Sequence, residues 1–281
     1  MVCYLCSHRK FRIRATKTRD RDDVRIVECE QCGLVSTDKT SHLADGHYEE
    51  SQMHGENPPS MEEWLQSCEH DDQRRIESLY TLIRGRRVLD FGCGAAGFVD
   101  KAQTIAKSVV GVEVERRVHE HWNGRLELYP SLEPAGADFD VITSFHVFEH
   151  LTDPRAMLQL LAKHLKPTGR LVIEVPSADD ALLTLYESEA FRKFTYWSQH
   201  LYLFNSATIR TLGEQAGLKV IAIEQIQRYP LSNHLYWLSK GLPGGHGAWG
   251  FLQNQQLAQS YADSLAAVGK CDTVCAHLQL A

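Results

Sequence analysis

A buried strand followed at once by three glycines is the feature that most restricts the fold of this chain. Residues 86–97 read RRVLDFGCGAAG, where a short apolar run leads directly into Gly92, Gly94 and Gly97. The first two glycines permit a tight turn and a close approach of a ligand to the backbone, and the third lets a helix pack against the strand. The order predicts a nucleotide-binding turn in a doubly wound α/β sheet.

Asp90, near the end of this strand, indicates which ligand the turn holds. A carboxylate there would repel a pyrophosphate but could hold a cationic amino acid group. Together with Gly92-Cys93-Gly94, Asp90 resembles the first motif of the class I methyltransferases, which use S-adenosylmethionine and hold its methionine ammonium near such a turn. The glycine spacing alone also fits dinucleotide-binding dehydrogenases, so an NAD enzyme is an alternative for this stretch.

Further segments resemble the same superfamily. Residues 109–112 predict a second strand ending at Glu113, 21 residues beyond Gly92, where doubly wound folds place a carboxylate on ribose hydroxyls. A predicted strand leads into FHVFEHLTDP at 145–154, which resembles the family's EH-L-x-D-P loop, and KPTG at 166–169 resembles its Lys-Pro-Gly-Gly turn. The resemblance implies a Rossmann-like seven-stranded class I methyltransferase sheet. The residues expected at the cofactor are Asp90, Phe91, Gly92, Cys93, Gly94, Gly97, Phe98, Glu113, Val114, Ser144, Phe145 and His146.

The pattern His146-x-x-Glu149-His150 lies in the loop after that strand. In the ubiquinone-pathway O-methyltransferases and the small-RNA 2′-O-methyltransferases, a related Glu-x-x-Glu-His holds a divalent ion near the acceptor oxygen. The resemblance implies a divalent ion at His146, Glu149 and His150, although imidazole in place of the first carboxylate argues against magnesium. A catalytic or acceptor-binding role without metal and a structural histidine cluster are the alternatives.

His200 is the expected general base, because the ordinary pKa of imidazole suits removal of a proton from a hydroxyl. His146 is the second candidate, and Glu149 and His150 complete the expected catalytic group. The alternative is that the histidines only anchor an insertion.

Insertions after the fifth strand commonly build the acceptor pocket of this fold, and aromatic faces can stack on a base or sugar. The residues expected at the acceptor are Tyr196, Trp197, Tyr202, Asn205, Arg228, Asn233 and His234.

Two CxxC pairs, Cys3 with Cys6 and Cys29 with Cys32, are separated by 22 residues. Four thiolates at this spacing predict a tetrahedral structural Zn²⁺ site, which would supply the folding energy that the few apolar residues between the pairs cannot. A redox dithiol and unmetallated cysteines are the alternatives. The basic segment between the pairs could contact a phosphate-bearing acceptor or nucleic acid, or form a solvated hairpin surface.

Composition restricts partners and compartment. The net charge of −6 and the pI near 6.2 argue against a protein that coats nucleic acid through bulk electrostatics. No apolar run reaches the roughly 18 residues of a membrane span, and the first residues lead straight into charged sequence without the pattern of a signal peptide. We therefore expect a cytoplasmic protein, in which eight cysteines indicate metal binding rather than disulfides.

The chain divides into four expected parts. A zinc ribbon occupies residues 1–45, and residues 46–85 form a linker and a leading helix that starts at the capping box Ser60-x-x-Glu63. The S-adenosylmethionine-binding domain covers residues 86–230, with an acceptor insertion at about 178–205 and a helix capped by Ser206. Residues 231–281 form an acceptor-side loop and a helix over residues 253–280.

A zinc ribbon in front of this fold resembles bacterial methyltransferases that act on nucleotide-linked sugars and other capsule or lipopolysaccharide precursors, including some that methylate phosphoramidates. The resemblance implies S-adenosylmethionine-dependent O-methylation of a small nucleotide-linked acceptor. An RNA methyltransferase guided by the basic ribbon and a non-catalytic S-adenosylmethionine-binding module are the alternatives.

Overall fold

The computed structural model describes residues 1–40, 54–55 and 57–281. Residues 41–45 of the expected ribbon and the first part of the expected linker, including Tyr48, lie outside these ranges.

A seven-stranded sheet forms the centre of the molecule and confirms the predicted Rossmann-like α/β fold. Its order is β10-β11-β8-β7-β4-β5-β6, and the five strands from β8 to β6 are parallel. β11 is antiparallel to both of its neighbours. The strands are β4 Arg87–Phe91, β5 Ser108–Val112, β6 Leu128–Tyr129, β7 Phe139–Phe145, β8 Leu165–Pro176, β10 Leu218–Ile226 and β11 Thr273–Leu280.

Helices cover both faces of this sheet. Its central strands are short apolar runs because parallel strands are buried on both sides, and Leu89, Ile142 and Ile173 are fully buried. None of the helices among the described residues has the length and apolar character needed to cross a membrane. The helices are α1 Met61–Ile83, α2 Gly97–Ala102, α3 Arg116–Trp122, α4 Pro154–Ala162, α5 Ala181–Thr184, α6 Glu189–Thr195, α7 Ser206–Gln215, α8 Leu231–Lys240, α9 Gly245–Ala248 and α10 Gln255–Ala267.

The predicted capping box at the start of α1 is confirmed. Ser60 Oγ accepts from the Glu63 amide at 3.2 Å, and Glu63 Oε2 accepts from the Ser60 amide at 2.8 Å. Each bond satisfies an amide that the first helical turn leaves without a carbonyl partner.

The helix predicted for residues 253–280 is wrong in its second half. α10 ends at Ala267, and residues 273–280 form β11 between β8 and β10. Val274, Ala276 and Leu278 are fully buried and alternate with more polar residues. This period of two is typical of a strand, and pairing on both sides overrides any helical preference.

The N-terminal cysteine module forms a second, four-stranded antiparallel sheet in the order β1-β2-β3-β9. The first three strands are β1 Phe11–Ala15, β2 Ile26–Cys29 and β3 Val35–Thr37, and the fourth is β9, Tyr202–Leu203. β9 belongs to the insertion that was expected to build the acceptor pocket. The insertion therefore completes the sheet of the cysteine module.

α7 is capped by Asn205, which corrects both the expected cap at Ser206 and the expected acceptor contact of Asn205. The Asn205 side chain accepts from the Thr208 amide at 2.9 Å, and Thr208 Oγ1 accepts from the Asn205 amide at 2.8 Å. Asn is among the best N-cap residues because its short side chain reaches back to these amides.

We predict that Asn205→Ala lowers the free energy of unfolding by about 1 kcal/mol, since it leaves the Thr208 amide of the first turn without its partner. Arg210→Ala, on the exposed side of α7, is the control and should change stability by less than about 0.5 kcal/mol. Urea unfolding followed by circular dichroism measures both. A loss of activity in Asn205→Ala without a loss of stability would restore the acceptor role.

Candidate active site

One large cavity, of about 720 Å³, lies at the carboxyl edge of the seven-stranded sheet. Loops after β4, β5 and β7 form its floor, α1 forms one wall, and residues 228–229 after β10 close another side. Doubly wound sheets bind their ligands at this edge. Every residue expected at the cofactor lines the cavity except Ser144, which is buried and donates to the Phe91 carbonyl at 2.9 Å.

The glycine turn allows two loops to meet. Gly92 adopts a φ of +70°, and a Cβ at this position would lie 2.4 Å from Val147 Cγ2. No residue with a side chain fits there unless the loop after β7 moves, and the left-handed backbone itself favours glycine. The loop therefore packs directly over the turn.

Glu113, which directly follows β5, holds the glycine turn through hydrogen bonds. Its Oε2 accepts from the Gly94 amide at 2.7 Å, and its Oε1 accepts from the Val114 amide at 2.8 Å. Burial raises the pKa of Glu113, although these amide hydrogen bonds favour the ionised form. Oε1 also accepts from the Glu115 amide at 3.0 Å, so the second lone pair of Oε2 is the one left to accept from a hydroxyl group in the cavity.

Asp90 presents a buried carboxyl group to the same cavity. It is 2% exposed, and Thr143 Oγ1 donates to its Oδ1 at 2.7 Å. Burial raises the pKa of Asp90 to about 7, more than the Thr143 hydrogen bond and the positive charge of Arg75 can offset. A cation in the cavity would favour the ionised form and bind to it.

α1 contributes polar groups that the sequence analysis missed. The α1 residues that line the cavity include Trp64, Cys68, Asp71, Asp72 and Arg75. Successive members are four, three, one and three residues apart, which places them on one face of the helix. This spacing is the signal that could have identified them.

Charged side chains join α1 to the sheet at the cavity wall. Arg75 Nη2 donates to Glu174 Oε1 at 2.7 Å, and Arg74 Nη2 donates to the same carboxylate at 2.9 Å. Arg228 Nε donates to Asp71 Oδ1 at 3.0 Å. Burial alone would raise the pKa of Glu174, but its histidine and arginine neighbours hold it well below the usual range.

Like His150, His146 lines the cavity from the loop after β7. Its φ of +57° is rare for a residue with a side chain and costs about 1 kcal/mol, which packing must offset. Its Nε2 lies 3.1 Å from Arg228 Nη1 and 3.4 Å from Glu174 Oε1. Its Nδ1 lies 3.3 Å from Glu149 Oε1, so the ring lies between a guanidinium and two carboxylates.

Glu149 and His150 from the same loop form a cluster with His200, and their ligand atoms lie within 4.8 Å of one another. The expected metal group contained His146, whereas the described residues place His200 beside Glu149 and His150. Glu149 is 1% exposed, and neither of its oxygens has a hydrogen-bond partner among the described residues. A buried carboxylate in this state with two imidazoles is a donor set for a divalent ion.

His200 does not line the cavity, although it was the expected base. Burial lowers its pKa to about 3, with a smaller contribution from His150, so the imidazole is neutral and weakly basic. Its Nδ1 is inaccessible to solvent and has no hydrogen-bond partner among the described residues. The geometry favours His146, the second candidate, as the proton acceptor.

Most residues expected at the acceptor lie elsewhere. Tyr196 and Tyr202 are buried against the cysteine module, and Trp197 lies under the Arg19 guanidinium, 4.3 Å away. Asn233 accepts from the Gly245 amide, and His234 contacts the Tyr261 hydroxyl at 2.8 Å.

Of the seven residues expected at the acceptor, Arg228 alone lines the cavity. The large rings of the insertion were expected to face a ligand, but they fill space around a module that lacks a core of its own.

A family model described as "Methyltransferase domain" matches residues 42–223. Among curated relatives, the ubiquinone biosynthesis O-methyltransferase of Thiobacillus denitrificans is 25% identical over 166 residues, which cover 53% of this chain and 72% of that protein. The mitochondrial enzyme of the same name from Schizosaccharomyces pombe is 34% identical over 106 residues, covering 33% and 39%.

Solved structures support the fold alone. A methyltransferase bound to the Trm112 methyltransferase activator of Haloferax volcanii superposes with a TM-score of 0.51 at 14% identity, covering 78% of this chain and 95% of that chain. A SAM-dependent methyltransferase from Archaeoglobus fulgidus gives a TM-score of 0.50 at 17% identity, covering 80% and 97%.

We predict that Gly92→Ala weakens S-adenosylmethionine binding at least tenfold, because the new methyl group must displace Val147 and the loop above the turn. Gly124→Ala is the matched control, since Gly124 has a φ of +77° but nothing within 4 Å of a Cβ. Both variants carry the left-handed backbone strain, and only the first crowds the cavity. Calorimetric titration measures both affinities, and equal values would contradict this account of the turn.

Proposed function

Because the chain belongs to the methyltransferase-domain family, we propose that it transfers the methyl group of S-adenosylmethionine to a hydroxyl oxygen of a small acceptor. The observation that carries this proposal is the cavity in which Asp90, Glu113 and His146 face one another around the glycine turn. The names of the curated relatives support oxygen as the methylated atom.

The chain's residues fit this donor. The buried Asp90 carboxyl suits the methionine ammonium, Glu113 Oε2 suits a ribose hydroxyl, and the glycine turn admits a ligand against its backbone. The donor supplies an activated methyl group on a sulfonium, so much of the rate comes from alignment by the cavity. The protein's main chemical task is then to deprotonate the acceptor.

His146 is placed to accept that proton. Its Nε2 lies in the cavity 3.1 Å from Arg228, and in this proposal it accepts the proton of the acceptor hydroxyl. Glu149 Oε1, 3.3 Å from Nδ1, would stabilise the imidazolium that forms. Glu149 suits this role, since burial raises its pKa but the neighbouring histidines outweigh burial and lower it to about 2.

The acceptor is proposed to be a hydroxylated ring. Val147, Leu151 and Met157 provide an apolar surface next to His146 and His150 in the same cavity. The nucleotide-linked sugar expected from the ribbon has less support, because Arg228, the one arginine among the expected acceptor residues, is already paired with Asp71. The names of the curated relatives also give it no support.

Two metal sites accompany this proposal. The four N-terminal cysteines lie within 4.8 Å of one another, with Cys3 and Cys32 sulfurs 3.5 Å apart, which fits a structural zinc ion in a closed thiolate site. Glu149, His150 and His200 would hold a divalent ion at the cavity wall, where its charge would favour an ionised acceptor hydroxyl. Neutral imidazoles and an ionised carboxylate are the states that such an ion needs.

The function is tested by incubating the protein with methyl-labelled S-adenosylmethionine and three acceptor panels: catechols and phenols, nucleotide sugars, and RNA. We expect labelled methyl ethers from the first panel. Transfer only to the second or third panel would replace the acceptor proposal. Donor binding without transfer to any panel would favour a non-catalytic module, and binding of NAD instead of the donor would overturn the proposal altogether.

We predict that His146→Ala lowers kcat by 10²- to 10⁴-fold, the usual contribution of a positioned base. Donor affinity should change less than threefold, because the glycine turn, Asp90 and Glu113 remain in place. His70→Ala, which replaces an exposed histidine that does not line the cavity, is the control. Steady-state kinetics measures kcat with an acceptor that the unmodified protein methylates. Unchanged turnover in His146→Ala would contradict the assignment of His146 as the base.

We predict that donor affinity falls about tenfold per pH unit as the pH drops below about 7, because a protonated Asp90 must lose its proton before it can pair with the ammonium. Above that pH the affinity should level off. Asp90→Asn should bind more weakly and show no such dependence between pH 6 and 8. Asp72, Glu113 and Arg75 also face this carboxyl. A pH dependence that survives in Asp90→Asn would therefore assign it to one of these neighbours.

A further inference from the structure

Residues 196–203 lie between the cysteine module and the histidine cluster. On the module side, β9 pairs with β3, and the Thr37 amide donates to the Leu201 carbonyl at 3.0 Å. On the cluster side, His150 Nδ1 lies 2.9 Å from the Gln199 carbonyl. His200 is therefore carried by a segment with contacts to both regions.

The turn between β1 and β2 holds this segment through Asp20. Its Oδ1 accepts from the Ser198 amide at 3.0 Å, and its Oδ2 accepts from Ser198 Oγ at 2.6 Å. Ser198 is 3% exposed, so solvent cannot readily replace either bond. One carboxylate thus fixes the backbone two residues before His200.

Arg19 adds two contacts next to Asp20. Its amide donates to the Tyr196 carbonyl at 2.8 Å, and its guanidinium lies over the Trp197 ring at 4.3 Å. The Trp197 ring in turn lies edge-on to His200, with ring centroids 5.3 Å apart. These contacts connect the cysteine module to the imidazole of His200 through Arg19 and Trp197.

A second contact joins the module to the other half of the cluster. Tyr4, inside the first CxxC pair, bonds the Asp153 carboxylate with its hydroxyl and accepts from the Arg155 amide at 2.9 Å. These residues follow directly on the loop that carries Glu149 and His150. The module therefore contacts the chain next to every member of the cluster.

We propose that the N-terminal cysteine module is a positioning element for the catalytic centre, and that Asp20 is the residue through which it holds His200 beside Glu149 and His150. The inference rests on the proposed function in taking His200 as part of that centre. Asp20 does not line the cavity and acts only through the segment that it fixes. Losing its two bonds should free residues 197–201 and leave the donor site unchanged.

The test compares Asp20→Ala with Asp20→Asn and with Asp22→Ala. Asp22 lies two residues further on, pairs with Lys17 and has a side chain that is 86% exposed, so it is the matched control. Asp20→Asn keeps one acceptor oxygen for Ser198 and should restore part of the effect. Because the bonds are local, Asp20→Asn also serves as the test if Asp20→Ala does not fold.

Hydrogen exchange of the full-length protein measures positioning directly. In Asp20→Ala we expect exchange at the amides of residues 198–201 to accelerate at least tenfold, with the glycine turn and α1 unchanged. Asp20→Asn should give a smaller increase, and Asp22→Ala none. Unchanged exchange at these amides in Asp20→Ala overturns the inference.

Kinetics supply the second readout. We expect kcat to fall about tenfold in Asp20→Ala while the dissociation constant for S-adenosylmethionine stays within twofold of wild type. In a His200→Ala background, Asp20→Ala should cause no further loss of kcat, because it acts through the missing ring. Fully additive losses overturn the inference. Wild-type turnover in His200→Ala would instead remove His200 from the proposed centre, while the exchange experiment still decides whether Asp20 positions it.

Discussion

The active-site cavity depends on a contact that only a residue without a side chain allows. At Gly92 the loop after β7 approaches the turn after β4 so closely that a Cβ would overlap Val147. The same turn presents the Gly94 amide to Glu113 at the end of β5. The conformation of this turn therefore determines how the ends of β4, β5 and β7 contact one another. It also determines the position of the loop that carries His146.

The second constraint is electrostatic. α1 brings several charged groups against the sheet, and burying them costs free energy that only well-made pairs can offset. Glu174 is 1% exposed and receives hydrogen bonds from both Arg74 and Arg75, so its charge is compensated. Removing Glu174 would take the partner of Nε and Nη2 from the buried Arg75, which costs more than the pair contributes. These pairs hold α1 as a wall of the cavity.

Local signals in the sequence predicted the features that depend on local chemistry. The apolar runs of the central strands, the glycine turn and the capping box at Ser60 all act over a few residues, and each was found where expected. β11 and the cavity-facing side of α1 were missed. Both depend on partners far along the chain, since β11 pairs with β8 and β10, and α1 faces strands that follow it.

The aromatic insertion shows why the site itself was only partly predictable. Its residues have the composition of a ligand pocket, yet Tyr196 and Leu203 pack with Ile26 and Val35 of the cysteine module. A module with so few apolar residues cannot bury enough surface alone, so it takes part of its core from the neighbouring domain. The dependence also runs in the other direction, because the segment that completes the four-stranded sheet also carries His200. The module is thus integral to the architecture around the active site, and its stability and the placement of that histidine are coupled through the same contacts.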